Sequence, residues 1–282
     1  MSRPSLILGD VMRAPSVGYF EHNVLARRSE FDEVESVVEF VTAFVERAIL
    51  FGDEHLYNDP YVVVQLASGA QGACFLHPED LNTQDLDALP GKSAFDQLHS
   101  AAPYLRVALL DALYHHINWR DGIRPTVEYE FRGTGSQKSS ARAQRLVNLA
   151  GVEKGGRVAL IGLIVDIARH VLGLGAELQV ADLAKAGMEV LGLRVHRDAT
   201  PLVQWADTVI MTGNTLKTDT LASLLDAAVG SAKRILVYAM TGHHIAPRYL
   251  DFGVDVVTAE EFPYYWYATS PSRMRVYARG PL

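Results

Sequence analysis

The alternation of short apolar strands with amphipathic helices after residue 141 predicts an α/β fold whose second half is a doubly wound, mostly parallel sheet. The hairpin and flanking helices read before it predict a smaller α+β unit. Two further observations set the scale. The chain has 282 residues, 49% hydrophobic and 21% charged, enough to bury one large core or two modest ones. No period of about 20 to 50 residues repeats, which excludes solenoids and propellers.

Each element has its own signal. Across residues 31–51, Val34, Val37, Val38, Val41, Phe44 and Val45 recur at helical spacing, and Gly52 stands where a helix C-terminus calls for it, so a helix is predicted there. Residues 61–66 are rich in valine and 72–76 are apolar; Ala67-Ser68-Gly69-Ala70 between them makes the pair a β-hairpin. A second helix is predicted over 102–118. Residues 132–142 shift to Gly, Ser, Thr, Lys, Arg and Gln, a composition that seldom packs a core, and the domain boundary is placed there: an α+β unit over 1–140 and a βα-alternating unit over 141–282. Beyond it come a strand at 157–161, helix 165–172, strand 177–181, short helix 201–205, strand 208–211, helix 216–229 and strand 234–239. A helical turn at 246–252 and a short strand at 254–257 follow. Such βα units imply right-handed crossovers and a sheet covered on both faces.

Charge and cysteine content narrow the partners. Lys and Arg total 26 against 33 Asp and Glu, a net charge of −7, which argues against nucleic acid as partner. Met1-Ser2-Arg3-Pro4-Ser5 leads into a run of only three apolar residues before Gly9-Asp10, too few for a signal-peptide core, and the longest apolar stretch falls well short of the roughly 20 residues that span a bilayer. A cytoplasmic protein with no membrane partner is expected. Cys74 is the only cysteine, so neither an intrachain disulfide nor a thiolate zinc cage can form, and its apolar strand predicts a buried, inert thiol.

In an open α/β sheet ligands bind beyond the carboxyl ends of the strands, at the point where strand order reverses. After strand 157–161 stands Gly162, with Asp166 in the following helix. A dinucleotide fingerprint needs two further glycines that are missing, so NAD is not expected. Asp182 ends the next strand, 20 residues beyond Gly162; it suits a ribose hydroxyl, as in S-adenosylmethionine or a nucleotide, and equally suits a helix or turn cap. The strand at 208–211 leads into Thr212, Gly213, Asn214 and Thr215, small polar groups at a helix start that suit a carboxylate or phosphate, though a capping box would use some of the same residues. His243 and His244 follow strand 234–239 as candidate metal ligands or acid/base groups, with Asp166, Asp182 or His170 as converging ligands for a divalent transition metal. His115 and His116 on the second helix read as interior or surface histidines. The aromatic run at 260–267 fits a lid, a homodimer contact or plain packing. There is no G-x-S-x-G elbow, phosphate-binding P-loop or H-E-x-x-H motif.

The phrase from Trp205 to Leu216, with Thr220-Leu221 and Leu224-Leu225 after it, resembles the putative heavy-metal chelation family. The family pattern T-G-[ST]-T-L-x-N-x-T is matched at Thr212, Gly213, Thr215, Leu216 and Thr220; Asn214 replaces a small hydroxyl residue and Thr218 an asparagine. His243-His244 replaces a serine-rich, proline-containing turn. The helix from Arg106 to Asn118 is similar to one in the family's N-terminal domain. The resemblance implies an enolase-N-terminal-like domain followed by a Rossmann-like one. It supports a cleft for a small anionic or amino-acid-like ligand, in metal-chelate handling or chelator biosynthesis. The alternative is a biosynthetic transferase or lyase using S-adenosylmethionine or a nucleotide.

Overall fold

Two sheets of different character organise the chain. The computed structural model describes residues 13–49, 56–229, 234–261, 270–280 and 282. Helix α1 (Val17–Ala26) opens on Ser16, whose hydroxyl accepts the Tyr19 N–H. A three-stranded antiparallel sheet follows in the order β1 (Val38–Ile49), β2 (Leu56–Leu66), β3 (Gln71–Phe75). Short helices α2 (Thr83–Asp87) and α3 (Ala94–Gln97) lead to α4 (Pro103–Arg120), which begins with proline in its first turn and lies across β2 and β3. The approach is close: a Cβ on Gly72 would fall 2.1 Å from the Ala108 carbonyl oxygen.

The second sheet has nine strands. In chain order the elements are β4 (Val127–Phe131), α5 (Gly135–Leu149), β5 (Arg157–Ile161), α6 (Val165–Gly173), β6 (Glu177–Ala181), β7 (Glu189–Val190) and β8 (Leu193–His196). Then come α7 (Thr200–Trp205), β9 (Thr208–Thr212), α8 (Asn214–Lys217), α9 (Leu221–Ala228) and β10 (Arg234–Ala239). A 3₁₀ turn (Ala246–Phe252), β11 (Val256–Ala259) and β12 (Ser272–Ala278) complete it. The spatial order is β4-β12-β11-β10-β9-β5-β6-β8-β7, and the six strands from β11 to β8 are parallel. Strands β12, β4 and β7 add antiparallel edges. From β5 the chain steps outward to β6 and β8, then returns to β9 on the other side, so strand order reverses between β5 and β9.

Alternation along the central strands divides the core between the two faces. Val158 and Leu160 pack with α5 and α6, whereas Ala159 and Ile161 join the opposite cluster with α7 and α9. That second cluster runs without a break into the N-terminal half through Leu109, Leu113 and Ile117 of α4.

The expected βα alternation is present, and three expectations are corrected. Residues 31–51, read as a helix, hold β1 instead, paired from Val38↔Leu66 to Ile49↔Leu56. The apolar set there is mostly valine, whose branched Cβ suits a pleated strand, and a sheet partner overrides the 3.6-residue spacing. Gly52 lies outside the described residues. The polar stretch at 132–142, where a domain boundary is expected, starts a helix: the Thr134 hydroxyl accepts the Gln137 N–H while the Gln137 side chain accepts the Thr134 N–H, a capping box that starts α5. Because β4 pairs with β12, the passage from one sheet to the other falls between α4 and β4 rather than near residue 140. The helix expected over 216–229 is interrupted between α8 and α9, where Asp219 takes a left-handed φ of 52°. The aromatic run of Phe262, Tyr264, Tyr265, Trp266 and Tyr267 lies outside the described residues.

Candidate functional site

A cavity of about 680 Å³ opens at the carboxyl ends of the parallel strands, over the β5–β9 reversal. Gly162, Asp166, Asp182, Thr212, Gly213, Asn214 and Thr215 all line it, so the structure brings these seven predicted residues together. The N-terminal half contributes Tyr61, Phe75 and His77 to the same wall.

The two turns at the reversal pack almost in contact. Gly162 has a φ of +90°, and a Cβ there would lie 2.2 Å from Thr212 Oγ1, so only glycine fits beneath the threonine. Gly213 is equally constrained, since its Cβ would meet the Thr241 carbonyl oxygen at 2.2 Å. Thr212 is 8% exposed, and its Oγ1 is buried with no hydrogen-bond partner. Its neighbours are engaged: Thr215 Oγ1 donates to the Thr212 carbonyl at 2.8 Å, and Thr218 Oγ1 donates to the Asn214 carbonyl at 3.2 Å. Asn214 Oδ1 accepts from Thr241 Oγ1 at 3.2 Å, which in turn accepts the Phe75 N–H at 2.9 Å, so β3 is tied to the cavity floor. The hydroxyl-rich turn therefore combines a Thr215 hydroxyl bonded back to the Thr212 carbonyl with one orphaned hydroxyl at Thr212, and no side chain caps α8.

The two predicted carboxylates serve different partners. Asp182 Oδ2 accepts the Leu163 N–H at 2.9 Å, and Oδ1 accepts from Ala184 and Lys185 at 2.9 and 3.1 Å. That is the capping role, and it clamps the β5 and β6 turns together. Asp166, in the first turn of α6, accepts from Ser139 Oγ and pairs with Arg169 at 3.2 Å.

His243 and His244 are not at the rim where they were expected; neither lines the cavity, and both are buried. The reason is Asp111 of α4, itself fully buried, which draws the loop after β10 inward. It accepts backbone N–H groups from Ala73 at 3.1 Å, His244 at 2.7 Å and Ile245 at 3.2 Å, and lies 3.0 Å from His243 Nδ1. His244 is 4.0 Å from the His243 ring and stacks on His115 at 4.2 Å. Burial disfavours charge on both imidazoles. For His243 the Asp111 charge and hydrogen bond outweigh it and the pKa moves up, whereas His244, beside His243 and His115, is pushed well below the usual range. The Nε2 atoms of His243 and His244 have no hydrogen-bond partner. Among the described residues no three His, Cys, Asp or Glu side chains are grouped as a metal site would need.

Several lining residues had escaped the sequence reading. Arg142 and Ser139 fall in the polar stretch where the domain boundary was placed; the Thr134-x-x-Gln137 box with Ala143, Leu146 and Val147 at helical spacing was the signal for α5. Arg142, 3% exposed, pairs with buried Glu260, its Nε 2.7 Å from Oε1, and also reaches the Tyr238 hydroxyl. Burial raises the Glu260 pKa and Arg142 opposes it, leaving a net rise. Lys185, Arg197 and Lys217 add positive charge to the lining, the last 3.5 Å from Asp80. Cys74 is buried as expected, and burial pushes its thiol far up.

Fold and cavity together define an α/β protein with a mostly parallel sheet and a small-molecule-sized pocket at its strand reversal. Residues 145–259, which span β5 to β11 and hence most of the pocket, match the model of the DUF364 family, described as "Putative heavy-metal chelation". No curated protein matches the sequence. Two solved structures of proteins of unknown function from the DUF364 family share the fold. That from Desulfitobacterium hafniense is 11% identical, with a TM-score of 0.62 over 93% of this chain and 99% of its own. That from Pyrococcus horikoshii is 15% identical, with a TM-score of 0.56 over the same shares. No helix among the described residues is long and apolar enough to cross a membrane.

Proposed function

We propose that this chain binds a small anionic or amino-acid-like molecule in the cavity at the β5–β9 reversal. The observation that carries the reading is Thr212, a residue of the cavity wall whose buried Oγ1 has no protein partner. A buried polar group left unpaired costs about 1–3 kcal/mol, and a ligand oxygen accepting from it would recover much of that. Asp166, across the reversal and bonded to Ser139 and Arg169, suits an amine on the same molecule.

The family description supports metal-chelate handling as the finer reading. The protein's own donors do not fit a resident metal: His243 and His244 supply two imidazole nitrogens, short of the three or four of a closed site, and neither residue lines the cavity. The metal donors are therefore assigned to the bound molecule, and the protein's task is to hold that molecule's polar groups. A thermal-shift screen of amino acids, hydroxy acids and their metal chelates tests this. Ligands that raise the melting temperature of the wild type should lose the effect in Thr212→Val, which keeps volume and removes the hydroxyl. An unchanged shift in the variant would refute the assignment.

A further inference from the structure

We propose that the cavity carries a second subsite, Lys185 with Arg197, that selects the terminal phosphoryl group of a phosphomonoester whose other end lies at Thr212. The proposal rests on the cavity being the ligand site, as argued above. Both side chains line that cavity. They follow the carboxyl ends of β6 and β8, neighbouring parallel strands paired Val180↔Val195 and Ala181↔His196. The loop carrying Lys185 is laced to β8: the Asp182 N–H donates to the His196 carbonyl and the Gly187 N–H to the Val195 carbonyl, each at 2.9 Å. Lys185 is thus held beside the strand end that presents Arg197.

The acids next to these cations in sequence are committed elsewhere. Both oxygens of Asp182 accept backbone N–H groups, and Asp198 Oδ1 accepts the Thr200 N–H at 2.9 Å. Among the described residues neither Lys185 nor Arg197 has an ion-pair partner, in a chain whose net charge is −7. A planar guanidinium and a compact ammonium on separate elements suit the three oxygens and double charge of a phosphomonoester better than one carboxylate.

Neighbouring groups exclude a diphosphate at the usual place. At the turn after β5 the Gly162 N–H donates to the Ala181 carbonyl and the Leu163 N–H to Asp182, so neither is left to cradle a bridging phosphate. The order β9-β5-β6-β8 puts three strand spacings, roughly 14 Å, between the Thr212 end and the Arg197 end, which calls for an elongated ligand.

Inorganic phosphate is the probe, titrated into the full chain at ionic strength held constant with chloride and followed by phosphorus NMR line broadening and thermal shift. Saturable millimolar binding is expected for the wild type. Lys185→Ala/Arg197→Ala should bind about tenfold or more weakly while keeping the wild-type melting temperature without phosphate, and Lys154→Ala, which removes an exposed cation outside the cavity, should bind phosphate like the wild type. No saturable binding to the wild type, undiminished binding to the double variant, or an equal loss in Lys154→Ala would overturn the subsite. Failure of the Thr212 reading looks different: ligands from the screen would shift Thr212→Val and the wild type alike, whatever the phosphate result.

Discussion

Asp111→Ala removes the group on which the two halves of the molecule converge. The carboxylate is fully buried on α4 and receives N–H groups from β3 and from the loop after β10, together with the His243 imidazole. Truncation strands three backbone donors and one imidazole in a site closed to water. Removing one partner of a buried charged pair costs about 3–5 kcal/mol, most of it the desolvation of what is left behind. At roughly 2–4 °C per kcal/mol, the melting temperature should fall by about 6–20 °C. Scanning calorimetry and a urea titration read this directly, and an unchanged m-value would show that stability rather than the extent of unfolding had changed. In the same variant the His243 pKa should fall, because burial would then act without the opposing carboxylate. A variant that melts within about 2 °C of the wild type would refute the claim that Asp111 joins the halves.

Three more outcomes follow from particular contacts. Gly162→Ala should destabilise by roughly 2–4 kcal/mol, from its positive φ and from the clash with Thr212, and Thr212→Ala in the same chain should restore about 1 kcal/mol or more, a coupling a double-mutant cycle in urea would measure. Stability should decline as pH falls below 6.5, because His244 and His115 are held neutral in the fold but take up protons when unfolded; His243, with its pKa raised, adds stability below 6.5 and loses it only as pH rises through the folded value. His244→Gln should flatten the acid decline, and an equally steep decline in that variant would count against the assignment. Arg142→Met leaves Glu260 buried without its guanidinium, so a loss of about 3 kcal/mol is expected, with partial rescue by Glu260→Gln in the same chain.

Strands β5, β6, β9 and β10 were legible because each is a short, mostly apolar run ended by a polar or glycine turn, whereas β7 and β8, short and carrying Glu189, Arg194 and His196, were missed; the ligand-binding rim lies at the carboxyl ends of the parallel strands. Gly162, Asp182 and Thr212 could be named for that reason. What escaped depends on partners distant in sequence. Valine-rich β1 reads at helical spacing until β2 is there to pair with it. The sequence of β4 alternates, yet its place in the large sheet is set by β12, more than 140 residues later. The polar face of α5 concealed a helix that buries Lys138, Ser139 and Arg142. His243 and His244 were visible as a pair, but nothing local shows that Asp111, 132 residues upstream of His243, turns them inward.

The central claim is that Thr212 Oγ1 holds a ligand at the β5–β9 reversal. The most direct measurement is a crystal structure of the wild-type chain soaked with the strongest hit of the thermal-shift screen, beside the same ligand's affinity for Thr212→Val by calorimetry. The account predicts a ligand oxygen within hydrogen-bond distance of Thr212 Oγ1 and a loss of about tenfold in affinity, the worth of one buried hydrogen bond. A ligand bound elsewhere, or equal affinity in the variant, would contradict it.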